Sequence, residues 1–96
     1  MKAYIVNRTT LCGQDPDEGR YALTDESGRT LYERWCSNRA FANSDLTRGN
    51  LKVLQDLEIT EVYSNDELVW KDGAMTPKAL QEFRQANEDY ERIHCN

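Results

Sequence analysis

Ninety-six residues, 39% of them hydrophobic, suffice for one small domain around one modest core. The 30% of charged residues are mixed in sign, which argues against disorder. Their sum of −5 lacks the broad positive surface that duplex nucleic acid demands and falls far short of a DNA mimic.

The charge is unevenly placed. Residues 1–50 hold seven bases and seven acids, so residues 51–96, with five bases and ten acids, carry the whole net charge. No stretch approaches a membrane span. The apolar run at residues 3–6 is too short for a secretory leader. The three cysteines, Cys12, Cys36 and Cys95, are odd in number and far apart, which points to reduced thiols and a cytoplasmic location.

Residues 2–7 are β-branched and aromatic and predict a first strand, which residues 9–12 could extend. Residues 13–19, with two Gly, one Pro and three acids, read as a solvated loop. Their Asp spacing lacks the ligand ladder of a calcium loop. Residues 20–24 and 30–36 flank Asp25-Glu26-Ser27-Gly28 and predict a hairpin, with Gly28 at positive φ. On its second strand Tyr32, Arg34 and Cys36 share one face, and Leu31, Glu33 and Trp35 the other.

Ser37 or Asn38 is a good N-cap for a helix through Leu46. Gly49 fits a C′ position and Asn50 a new cap, opening a short helix with Leu51, Leu54 and Leu57 at helical spacing. Residues 59–64 and 67–71 form a second hairpin on an Asn65-Asp66 turn, and Asp72-Gly73 ends it. Thr76 then caps a helix with Pro77 at its first position and a Met75–Leu80 staple. Ala79, Phe83, Ala86, Tyr90 and Ile93 make one helical stripe, which should pack on the sheet.

The order β-β-β-α-α-β-β-α implies a single α+β domain over residues 1–96. Its mainly antiparallel sheet has about five strands with helices on one face. The opposite face is expected to be open, or covered by a second copy in a homodimer.

The stretch from Tyr32 to Arg39 is the candidate ligand site. A helix start offers N–H donors and partial positive charge. Arg34 and Arg39 bracket that start and can fork to phosphate or carboxylate. Tyr32 could stack a flat ring. The ligand-facing set is therefore Tyr32, Arg34, Trp35, Ser37, Asn38 and Arg39. The structural alternative is a capped helix whose arginines pair with nearby acids and whose Trp35 is core.

No catalytic residue, metal ligand or cofactor is assigned. Only His94 and Cys95 are close in sequence among the potential zinc ligands, and a Cys36–His94 nucleophile pair has no visible third group. The acidic second half reads as a solvated surface, or as one that meets a basic protein. Tyr63, Val69 and Trp70 on the second hairpin are core or an interface.

The hairpin-then-helix order, with Tyr21, Tyr32 and Arg39, resembles the core of GIY-YIG nucleases over residues 20–48. Tyr32-Glu33-Arg34 stands where that family has Tyr-Ile-Gly, and Tyr21-Ala22-Leu23 stands where its first motif belongs. No glutamate for its metal ion can be assigned, so the activity is not carried over.

The expected function is non-enzymatic and stoichiometric, of the phage-accessory or inhibitor type. The module would sequester a partner protein or a small anionic, nucleotide-like ligand. The alternative is a degenerate metal-dependent nuclease or a thiol-dependent enzyme.

Overall fold

The computed structural model describes residues 1–8 and 18–94. The strand extension at 9–12, most of the loop at 13–19, and Cys12 and Cys95 lie outside the described residues.

Six strands form one mixed sheet in the order β3-β2-β1-β4-β5-β6. They are β1 (Lys2–Asn7), β2 (Gly19–Thr24), β3 (Thr30–Cys36), β4 (Glu61–Ser64), β5 (Glu67–Lys71) and β6 (Ala74–Met75). Helices α1 (Arg39–Asp45) and α2 (Leu51–Asp56), joined through a 3₁₀ turn at Arg48–Asn50, lie between β3 and β4; α3 (Pro77–His94) closes the chain. The α+β class and the largely antiparallel sheet are as the sequence predicts. All neighbours pair antiparallel except β1 and β4, which run parallel with Ala3 opposite Val62 and Ile5 opposite Ser64.

The turns follow their residues. Asp25 Oδ1 accepts from the Ser27 and Arg29 N–H groups at 2.9 and 3.0 Å, and Gly28 takes φ +88°. The Ser27 hydroxyl also donates to that oxygen at 2.6 Å and, with these contacts, holds the Asp25 carboxyl below its ordinary range. Asn65 and Asp66 both have positive φ, as a two-residue hairpin requires. Asp72 and Gly73 do the same, at +50° and +98°. This pair therefore does not end the hairpin: it turns the chain into β6, which sets Met75 opposite Trp70.

One face of the sheet carries the core. Ala3, Ile5, Tyr21, Leu23, Cys36, Val62 and Trp70 pack there with Ala42, Leu46, Leu54 and Ala79 of the helices. A register shift between Val62 and Tyr63 lets both Val69 and Trp70 be buried.

Three local expectations change. Gly49 sits in the 3₁₀ turn without a positive φ, and α1 ends on Leu46. Asn50 caps backwards, its Nδ2 donating to the Asp45 carbonyl, and makes no side-chain cap for α2. Of the three leucines in the 51–57 stripe only Leu54 is buried, because α2 is too short to lay all three on the core.

Helix α3 starts where expected. Thr76 Oγ1 accepts from the Ala79 N–H at 3.3 Å and donates to the Leu68 carbonyl at 3.2 Å, tying the cap to β5. Its first turns reach the core through Ala79, and the rest lies along α1. Phe41 meets Phe83 and Tyr90 edge-on at 6.0 and 6.2 Å. The predicted stripe thus runs past its cover: Phe83 is half-buried, Tyr90 is 50% exposed and Ile93 is 69% exposed.

Candidate functional site

β3 runs antiparallel to β2, and β2 antiparallel to β1, so β3 points the same way as β1. β4 is parallel to β1. The carboxyl ends of β1, β3 and β4 therefore lie at one rim. The chain leaves β3 there, enters α1, and crosses the face to land on the far side of β1.

A cleft of about 340 Å³ opens at this rim. Tyr4, Val6 and Asn7 of β1, Tyr63 of β4, Arg39 of α1 and the Asn65-Asp66 turn line it. Tyr4 and Tyr63, opposite each other in the parallel register, stack at 5.7 Å with 23° between their planes. Lys2 Nζ lies 5.7 Å from the Tyr63 ring centre. The Tyr63 hydroxyl donates to Glu61 at 3.0 Å, and this bond holds its pKa above the ordinary phenol value.

Arg39 is the cation of the cleft. Its guanidinium stands 6.0 Å above the ring of the fully buried Tyr21 and donates to Ser64 Oγ at 3.5 Å. It makes no ion pair among the described residues. A guanidinium placed over an aromatic ring still has N–H groups for a ligand.

Of the six residues expected to face a ligand, only Arg39 lines this cleft. Arg34 pairs with Asp45 across 3.4 Å, at the far end of α1 from Arg39. Seven helical residues separate the two ends by about 9 Å. Tyr32 is half-buried against the core. Trp35 points to the opposite face and is 52% exposed, so it is not core. Ser37 is exposed, and Asn38 spends its side chain on the cap, Oδ1 accepting from the Phe41 N–H at 2.9 Å.

The residues that sequence reasoning missed are Tyr4, Val6, Asn7, Tyr63, Asn65 and Asp66. Their only signal was polar residues following each strand: Asn7 after the first apolar run, Asn65-Asp66 after the fourth. The parallel pairing that joins them is not written in either segment.

Cys36 is buried, and its thiol donates to Asp45 Oδ2 at 3.7 Å. Burial and the Asp45 carboxylate push its pKa up to about 11, the reverse of what a nucleophilic thiolate needs. A folded pKa above the unfolded value of 9.0 means stability is intact below pH 9 and is lost as pH rises towards 11. The loss should be at most about 3 kcal/mol, at about 1.4 per pKa unit. Urea titrations at stepped pH should show it in the wild type and not in Cys36→Ala, since the other thiols titrate in both. Parallel curves for the two proteins would sink the assignment.

Among the described residues no three His, Cys, Asp or Glu side chains gather as a metal-holding group. No helix is long and apolar enough to cross a membrane among those residues. No family model, curated protein or solved structure matches the chain.

Proposed function

We propose that the protein is a non-enzymatic binding module, of the accessory or inhibitor type, that holds a small anionic, nucleotide-like ligand stoichiometrically in the cleft at the carboxyl ends of β1 and β4. The observation that carries this is Arg39, a guanidinium oriented by Tyr21 and Ser64 with no carboxylate partner among the described residues. Its neighbours suit the rest of such a molecule. The Asn65 amide offers a donor and an acceptor, and the Tyr4–Tyr63 pair, on the sheet face opposite Tyr21, offers a flat apolar surface at the rim. Asp66 accepts from sugar hydroxyls or base N–H groups and disfavours a bare polyanion. A ligand with one anionic end and one donor-bearing ring matches that mixture better than inorganic phosphate does.

Thermal melts with nucleoside mono- and diphosphates, nucleosides and inorganic phosphate test this. A nucleotide at about a hundred times its Kd should add roughly 2.7 kcal/mol, which for a domain of this size is a rise in Tm of about 10–20 °C. Nucleosides and phosphate should each shift it far less. Chromatography of the mixture should return the nucleotide unchanged. An unmoved Tm with every nucleotide, or conversion of the nucleotide to product, defeats the proposal.

A further inference from the structure

A second concavity lies on the other side of the molecule. It is a groove of about 490 Å³ between the 3₁₀ turn, β6 and the first turns of α3. Met75, Leu80 and Phe83 floor it, and Arg48 and Arg84 flank it. The Arg48 guanidinium stands 5.7 Å over the Phe83 ring. Neither arginine makes an ion pair among the described residues.

The far end of α3 is the chemical complement. Tyr90 is half-exposed, and Glu88 and Glu91 make no ion pair among the described residues, whereas Asp89 is already paired with Arg92 at 2.9 Å. Leu80 and Glu91 are eleven residues apart on one rigid helix, or about 16 Å. A molecule cannot bring its own acidic end to its own groove.

We infer that α3 pairs antiparallel with α3 of a second copy, so that the groove of each molecule receives the acidic end of the other. Leu80, Arg84, Asn87 and Glu91 recur at intervals of four, three and four, which places them along one face of the helix. With Asn87 facing Asn87 of the partner copy, Tyr90 of that copy falls level with Arg84 and Glu91 level with Phe83, one residue or about 1.5 Å of rise from Arg84 and within reach of its guanidinium. Two-fold symmetry makes each contact twice. The open face of the sheet, the other surface on which two copies could meet, is a poorer interface. Two of its cations are already engaged within the molecule, Arg20 with Glu33 at 3.6 Å and Lys2 over the Tyr63 ring. On α3, Arg84, Glu88 and Glu91 make no ion pair among the described residues.

Sedimentation velocity from micromolar to near-millimolar protein tests this with a charge exchange. The wild type should be a dimer that weakens as salt rises. Arg84→Glu and Glu91→Arg, both at exposed positions, should each weaken it about tenfold to a hundredfold, because each breaks two symmetric contacts. Arg84→Glu combined with Glu91→Arg should restore dimerisation towards the wild-type level. A wild type that stays monomeric throughout, single variants that dimerise as well as it does, or a double variant no better than the singles would each overturn the inference.

Discussion

Trp70→Ala is expected to cost about 3–5 kcal/mol, while Trp35→Ala costs under about 1. The two tryptophans are alike in sequence, each the penultimate residue of a strand. Their surroundings differ. Trp70 is 3% exposed, lies opposite both Val62 and Met75, and belongs to the core cluster. Removing an indole there deletes a large apolar area and leaves a cavity that β5, held between two strands, cannot close. Trp35 is on an edge strand, opposite Arg20, with half its surface in water. A domain of this size has total stability of roughly 5–15 kcal/mol, so Trp70→Ala should bring it near the folding threshold. Urea denaturation followed by circular dichroism measures both without relying on the fluorophore being removed. Equal losses, or a larger loss at Trp35, would mean that the helices cover the other face of the sheet.

That contrast marks the limit of what could be read in the residues. Features set by neighbours in sequence were legible: the Asp25–Gly28 turn, the Asn65-Asp66 turn, the Asn38 cap and the Thr76-Pro77 start of α3. Each depends on side-chain chemistry within four residues of the backbone it fixes. Alternation correctly divided Arg34 and Cys36 from Glu33 and Trp35, but a register shift opposite Leu31 lets Leu31 and Tyr32 both pack against the core, and alternation does not say which set faces the helices. Periodicity gave the stripe on α3 and could not show that α1 covers only its first part. The Asp72-Gly73 pair reads as a stop although it is a strong hairpin turn, because only two residues of strand follow it. The site was the least legible part. Its walls come from β1, α1 and β4, brought together by a parallel pairing across 58 residues of intervening chain, from Ala3 opposite Val62. Neither local propensity nor spacing encodes such a pairing. Arg39 was found because it stands beside a helix start, and Arg34 was grouped with it for nearness in sequence. The helix then carried their ends apart.

Arg39→Ala is expected to weaken nucleotide binding about tenfold to a hundredfold or more, and Arg34→Ala to leave it nearly unchanged. A charge-assisted hydrogen bond contributes roughly 1.5–3 kcal/mol, and each 1.4 kcal/mol is a factor of ten. Arg39 can supply that bond because its position is set by Tyr21 and Ser64 before any ligand arrives. Arg34 is engaged with Asp45 on the exposed flank of α1, where breaking the pair costs about 1 kcal/mol of stability or less. Arg39→Lys separates charge from geometry. It keeps the cation but gives up the planar fork and its seat on Tyr21, so its affinity should fall between wild type and Arg39→Ala. Lys71→Ala with Lys78→Ala removes two positive charges outside the cleft and controls for the loss of general attraction. Calorimetric titration with the nucleotide that gives the largest Tm shift measures all four variants. If Arg34→Ala weakens binding as much as Arg39→Ala, the ligand sits on the β3–α1 flank instead of at the rim. If the lysine pair matters as much as Arg39, the attraction is long-range and the cleft holds no specific cation.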